Sequence, residues 1–358
     1  MAERKLDLGP LEKLMNDPAI SEIMVNGPKK VFIEKHGKKI LSDAQLGSEE
    51  EVTRLAEKLF SSMGKRIGVD APMADACLED GTRVNAIIPP LARFGTTITF
   101  RKFSKEITCL EDLIKSGTLS KGAADLLVAC IKGKLNMIFS GGTSAGKTTT
   151  LQMLSHYFDP KERVVTIEDA AELKMEQENV ISLETRSPDV EGKGGIYIRD
   201  LIRNSLRMSP DRLVIGELRG EEAIDMFQAM ATGHSGTIGI VHGNSPKDVL
   251  ARLETMILMS GIKLPLEEVR KIVASTVHVI VHQERMRDGS RKVTYITEIR
   301  GIEREEIMLN DLFRFQFEGL DANGRVLGSL KPAIKYYPVF FQKFQQMGLL
   351  TENVFAKE

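Results

Sequence analysis

The stretch IFSGGTSAGKTTTL, residues 138–151, constrains this chain more than any other. Gly141, Gly146, Lys147 and Thr148 satisfy the spacing G-x-x-x-x-G-K-[ST]. The apolar run LNMIFS at 135–140 reads as a buried strand, and 148–157 reads as a helix with Leu151 and Leu154 on one face. Glycines let the backbone of such a loop curl until consecutive N–H groups point inward at phosphate oxygens. The helix that follows places its positive end against the same anion. On this reading the nucleotide-binding stretch is Gly141, Gly142, Thr143, Ser144, Ala145, Gly146, Lys147, Thr148 and Thr149. Lys147 would reach the β- and γ-phosphates, and Thr148 would offer its hydroxyl to Mg²⁺. The alternative is a glycine-rich turn that fits by chance; the strand before it and the helix after it argue against that. The loop alone does not name the work, because kinases, GTPases, transporters and motors share it.

At 358 residues the chain exceeds one ordinary core, so two domains are expected. Hydrophobic residues at 42% and charged residues at 28% are ordinary for a globular protein. A formal net charge of −1 gives no reason to expect a nucleic-acid partner. Cys77, Cys109 and Cys130 are scattered and odd in number, which suits free thiols in a reducing compartment better than a disulfide framework or a zinc site. No apolar run approaches the ~18 residues of a membrane span, and MAERKLDLGP lacks the apolar core of a signal peptide. The expected location is cytoplasmic, with docking on a membrane partner left open.

An N-terminal α+β domain is expected over 1–103, a linker over 104–112, and a larger α/β domain over 113–358. In the first, GPLEKLMND reads as helical, and IMV, VFIEK and the residues after HGK as three strands separated by NGP and HGK turns. A helix is expected over 48–60, with Ser48 as N-cap, Glu51 as its capping-box partner, and Val52, Leu55, Leu59 and Phe60 on one face. TRVNAIIPP and GTTITFRKF are β-rich. Beyond the linker, LNMIFS, RVVTIED, DRLVIGE, GTIGIVH, VHVIVHQ and VTYITEI alternate with helical stretches, the pattern of a parallel sheet. LFRFQFEG and RVLGSL suggest a hairpin around Asn323-Gly324, and VFFQKFQQMGLL an amphipathic helix.

The remaining chemistry sits at predicted strand ends. In most phosphate-loop ATPases an apolar strand ends in an Asp that holds Mg²⁺; in DRLVIGELRG, Gly216 stands in that place and Glu217 follows. Glu217 is therefore a candidate to polarise an attacking water, while the metal lacks its usual carboxylate. Glu168, at the end of RVVTIED, could supply it through a bound water, ahead of Asp169 and Glu172. The competing reading is that these acids cap a following helix, as Asp169 could. His234 and His242 in ATGHSGTIGIVHGNS match no common zinc spacing. Both read as lying at strand ends, where parallel sheets hold ligands, and so as candidates to hydrogen-bond a γ-phosphate. Arg199, Arg203 and Arg207 fall at i, i+4 and i+8, one helical face, which is either salt-bridged and solvated or turned toward a neighbouring subunit. Arg83, Arg93 and Arg101 are further candidates for an arginine that neutralises transition-state charge.

Four blocks occur in order: GGTSAGKTT, VTIEDAAEL, LRMSPDRLVIGELRGEEAIDMFQAMATGH and IVHGNS. Together they resemble the phosphate loop, acidic box, glutamate strand and histidine box of the type II/type IV secretion ATPase superfamily. LGPLEKLMNDPAISEIMVNGPKKVFIEKHGK, LETRSPDVEGKGGIYIRDLIRNSLRM and GSLKPAIKYYPVFFQKF are similar to the CpaF/TadA-like branch, which powers tight-adherence (Tad/Flp) pili. The resemblance implies a RecA-like core behind a smaller PAS-like N-terminal domain. It implies a homo-hexameric ATPase using ATP and Mg²⁺ at the cytoplasmic face of an inner membrane, with a polytopic platform protein as partner. By motif match, Lys147 and Thr148 take the phosphate and Mg²⁺ roles, Glu217 is the catalytic glutamate, Glu168 the acidic-box carboxylate, His234 and His242 the histidine pair, and Arg101 the first-domain arginine turned toward the nucleotide. Ser144-Ala145 stands where the family has Gly-Ser, and Ile240 and Gly243 replace the usual threonine and alanine around His242. The tetracysteine zinc site of many type IVa pilus ATPases is absent from the sequence, and the branch often has a longer N-terminal region.

Overall fold

The structure, a computed structural model, describes residues 7–35, 37–78, 80–102, 107–186, 188 and 192–355. His36 of the HGK turn, Phe103 at the end of the expected first domain and residues 104–106 of the expected linker lie outside the described residues. The chain divides into two compact units, one holding the N-terminal residues up to Lys102, the other most of the chain from Ile107 onward.

The first unit is an antiparallel sheet with a helix on one face. A short 3-10 turn and α1 (Glu12–Asn16) lead into β1 (Ile20–Asn26), β2 (Val31–Lys35), β3 (Lys38–Leu41), α2 (Glu49–Ser62), β4 (Met73–Cys77), β5 (Arg83–Ile87) and β6 (Thr97–Arg101). The strand order is β3-β2-β1-β6-β5-β4. Period-two alternation sends Ile23, Val25, Ile98, Phe100, Val84 and Ala86 into one core. That core receives Val52, Ala56, Leu59 and Phe60 of α2; Ala56, not Leu55, completes the fully buried stripe. Ser48 caps α2 by accepting from the Glu51 N–H at 3.3 Å.

The second unit contains α3 (Leu110–Lys115), α4 (Lys121–Lys132), β7 (Met137–Gly141), α5 (Lys147–Ser155), β8 (Val164–Glu168), β9 (Val180–Glu184), α6 (Ile198–Ser205), β10 (Arg212–Leu218), α7 (Glu222–Ala231), β11 (Ile238–Val241), α8 (Pro246–Met259) and α9 (Leu266–Thr276). It continues with β12 (Val279–Arg285), β13 (Arg291–Glu303), β14 (Glu306–Leu320), β15 (Val326–Pro332) and α10 (Phe341–Gln346). The sheet runs β15-β14-β13-β12-β7-β11-β10-β8-β9. From β12 to β9 the neighbours are parallel, and β13 to β15 add an antiparallel meander. Every residue of β7, β8 and β11 is buried, as expected for parallel strands covered on both faces. One apolar cluster packs α4 and α5 on one face, and a second packs α6 to α9 on the other. This is the α/β parallel sheet expected from the strand–helix alternation, and the RecA-like core that the resemblance implies.

Five details differ from expectation. VTYITEI, expected among the parallel strands, lies in β13 and runs antiparallel to both its neighbours, because it follows β12 through a short turn with no crossover helix. Strand β9 is additional. The C-terminal helix is confined to Phe341–Gln346, anchored by Phe341 and Phe344. Helix α6 stops at Ser205, so Arg207 leaves the arginine stripe. No helix follows β8 directly, so Asp169 caps none. At the sheet edge away from the glycine loop, buried Arg212 bonds Glu162 at 2.7 and 3.2 Å and the carbonyls of Gly236 and Ile131 at 3.1 Å. Its guanidinium also stacks 4.2 Å over the Phe158 ring.

Candidate active site

Five parallel strands end at one edge of the large sheet, and each delivers a polar group there. β7 runs into Gly141 and the loop, β8 ends in Glu168, β10 carries Glu217, His242 follows β11, and β12 carries Gln283. The chain direction of parallel strands is what gathers residues so distant in sequence.

The loop leads into α5 through Gly146, whose φ of 97° is left-handed, and no side chain caps that helix N-terminus. Its first N–H groups are thus placed for an anion. Lys147 is buried, its ammonium bonded to the carbonyls of Gly141 at 3.0 Å and Gly142 at 2.7 Å. Thr148 makes no side-chain hydrogen bond among the described residues. A phosphate chain fits this cradle of glycine, helix terminus and lysine.

Glu217 stands beside it. His242 Nε2 lies 3.2 Å from Glu217 Oε1, and Arg219 bonds Glu217 Oε2 at 2.7 Å. Burial alone would raise the Glu217 pKa. The hydrogen bond and charge of Arg219, with His242 and Lys147 behind it, hold it below the usual carboxylate range. His242 is held below its ordinary value by burial and by Lys147, against the pull of Glu217. At neutral pH the pair is therefore a carboxylate beside a neutral imidazole, able to accept a proton from water and to donate one hydrogen bond.

Gly216 explains the missing Asp. It lies beside Glu168 across the β8–β10 pairing, and a Cβ at Gly216 would come 2.7 Å from Glu168 Cγ. The carboxylate of the neighbouring strand fills the space that a β10 side chain would take. Glu168 is buried and accepts from the N–H groups of Glu172 at 3.1 Å and Leu173 at 3.2 Å. It therefore anchors the loop after β8 as well as standing at the strand-end edge. A buried carboxylate and the Thr148 hydroxyl are hard oxygen donors of the kind Mg²⁺ takes, directly or through water.

Other candidates lie elsewhere. His234 precedes β11 while His242 follows it, so the two histidines occupy opposite edges of the sheet. The strand-end reading holds for His242 and fails for His234, whose edge is the one that holds Arg212. Arg199 and Arg203 converge on Asp225 of α7, each at 2.8 Å, so the salt-bridged reading holds for them. Asp169 lies 3.7 Å from Arg219. Arg101 sits opposite both Glu22 and Arg83 in the first sheet and approaches Glu22 at 3.5 Å. Arg93 is exposed. Arg219 lies within the glutamate-strand block with nothing there to single it out, and Gln283 carries no motif. Their signals are position alone: two residues after Glu217, and at the end of a parallel strand beside the loop. A groove of about 980 Å³ between Ser245–Lys247 and the β13–β14 face is lined by none of the strand-end groups.

The profile of the type II/IV secretion system protein family matches residues 4–310, and the chain belongs to that family. It is 34% identical over 301 residues to a putative conjugal transfer protein of Mycobacterium tuberculosis, covering 82% of this chain and 85% of that one. It is 32% identical over 292 residues to the type IV secretion system protein PtlH of Bordetella pertussis, covering 74% and 86%. Among solved structures, the pilus retraction motor PilT with bound ADP superposes with a TM-score of 0.57 at 19% identity, over 98% of this chain and 92% of that one. The Legionella pneumophila ATPase DotB also gives 0.57, at 18% identity, over 85% and 84%. At these identities the structural likeness speaks for the fold alone. No described helix is long and apolar enough to cross a membrane.

Proposed function

We propose that this chain is an ATP-hydrolysing motor working as a homo-hexamer at the cytoplasmic face of an inner membrane. In this reading it drives assembly of Tad/Flp-type pili through a polytopic platform protein. The observation that carries the ATPase part is the Glu217–His242 pair, 3.2 Å apart, beside a Lys147-bearing phosphate loop. Glu217, kept ionised by Arg219, orients and deprotonates the attacking water. Neutral His242 has a single N–H, directed here at Glu217, which would turn to the terminal phosphate when nucleotide binds. Lys147 and the N-terminus of α5 hold the phosphates, with Thr148 and Glu168 as the residues that would hold Mg²⁺, whose charge offsets that of the phosphates. Arg101 is the first-unit arginine proposed to reach the nucleotide. The pilus assignment rests on the N- and C-terminal sequence blocks. Names borne by relatives, conjugal transfer and type IV secretion, favour a second reading in which the same motor serves a secretion or conjugation channel. Neighbouring genes for pilins or for a conjugative channel separate the two.

The test is ATPase rate per protomer against protein concentration, with mass followed by light scattering. A rate that climbs as a six-fold assembly forms supports a ring motor. A constant rate from a monomer rejects it, and phosphorylation of a small-molecule acceptor in place of water rejects the motor class.

A further inference from the structure

The β12 strand next to the phosphate loop carries a buried amide that meets the last glycine of that loop and the helix it starts. Gln283 is 2% exposed and lies opposite Gly141 in the parallel β7–β12 pairing. A Cβ added at Gly141 would come 1.9 Å from the Gln283 carbonyl oxygen, and one added at Gly146 would come 2.8 Å from Gln283 Nε2. Gln283 Oε1 accepts from the buried hydroxyl of Thr150, in the first turn of α5, at 2.9 Å. One residue thus touches the first glycine of the loop, the last glycine, and the helix beyond. The pairing of β12 with β13 shifts register at His282/Gln283, the kind of irregularity that re-aims a side chain beside an active site. On the returning strand Arg291 directs Nε toward the Ser144 carbonyl at 3.5 Å. A methionine would fill much the same volume without the cost of burying an amide.

We propose that the Gln283 side chain is a positioning group for nucleotide hydrolysis: through Thr150 and Gly146 it fixes the curvature at which the loop N–H groups converge on the phosphates. The proposal rests on the ATPase reading of this site. Gln283 acts through the loop and touches no reacting atom.

The experiment compares Gln283→Met, Thr150→Val, their double variant and Thr150→Ser, using the full chain. It reads the KM for ATP, kcat, affinity for a fluorescent ADP, and thermal midpoint. Gln283→Met and Thr150→Val should each raise KM and weaken ADP binding about ten-fold, the size of one net hydrogen bond. The double variant should be no worse than the poorer single one, because both remove the same contact. Thr150→Ser, which keeps the hydroxyl, should restore wild-type values. A role in packing alone would lower the midpoint and leave KM and ADP affinity unchanged. That result, additive losses, or a Thr150→Ser variant as poor as Thr150→Val overturns the proposal. If Gln283→Met does not fold, the two Thr150 variants decide. If the wild-type protein binds neither nucleotide, the ATPase reading falls and takes this proposal with it; wild-type binding with unaffected variants removes this proposal alone.

Discussion

Glu168 Cγ occupies the space beside Gly216, 2.7 Å from where a Cβ would stand. A carboxylate from β8 thus takes the room that the usual aspartate of β10 would need. Gly216→Asp should lose stability through overpacking, by about 1–3 kcal/mol, and should lower turnover by displacing Glu168. Glu168→Ala in the same chain should relieve the crowding. Urea denaturation of the two single variants and the double variant measures the coupling, and simple additivity would contradict a shared space.

Glu217→Gln should retain ATP binding and lose turnover by roughly 10²–10⁴-fold, the range of a positioned general base. Lys147→Ala should instead lose binding. Equilibrium binding of a labelled ATP analogue beside steady-state rates distinguishes the two, and unchanged turnover in Glu217→Gln removes it as the base.

The folded-state pKa values of His242, His278 and His282 are all depressed, each chiefly by burial. Asn136 donates its N–H to His278 Nδ1 at 3.0 Å, a bond only the neutral ring accepts. His282 Nδ1 lies 2.9 Å from Ser140 Oγ. Below the ordinary histidine pKa the unfolded chain binds protons that the folded chain cannot. Stability is therefore full above that value and is lost as pH falls toward the depressed ones. Thermal midpoints measured from neutral to mildly acid pH should fall, and His282→Gln should flatten the fall.

Arg212→Met should cost on the order of 3 kcal/mol, because Glu162 is left buried with Lys134, at 3.2 Å, as its remaining cation among the described residues. Replacing Glu162 by Met as well should recover part of it. Chemical denaturation reads both.

Arg101→Ala should cost less than about 1 kcal/mol, since its pair with Glu22 is partly exposed. Turnover should fall while the thermal midpoint holds. Full activity would show that Arg101 does not supply the arginine.

The sequence displays what is periodic and what is contiguous. The apolar runs of β7, β8, β10, β11 and β12 read as strands because both faces are buried, and the loop reads as a loop because its glycines are close together. β9 is not legible: Val180–Glu184 alternates weakly and is nowhere fully buried. Glu217 and His242 stand out from their blocks, but which sheet edge a histidine occupies depends on whether it precedes or follows its strand, and that separates His234 from His242. The partners of Arg199 and Arg203 lie on α7, a tertiary fact that helical spacing cannot carry. Gln283 is a single amide at the end of an apolar strand, and only the fold sets it against the glycines.

The position of β7 has a consequence for synthesis on the ribosome. The strand emerges with its glycine loop early, yet both of its partners in the sheet come much later, β11 at Ile238 and β12 at Val279. A nascent chain that has already exposed Gly141–Thr149 has no flanking strands to hold β7 and no Gln283 beneath the loop. Fragments released before residue 279 therefore carry the glycine-loop sequence without one of the two strands that flank β7 in the folded sheet.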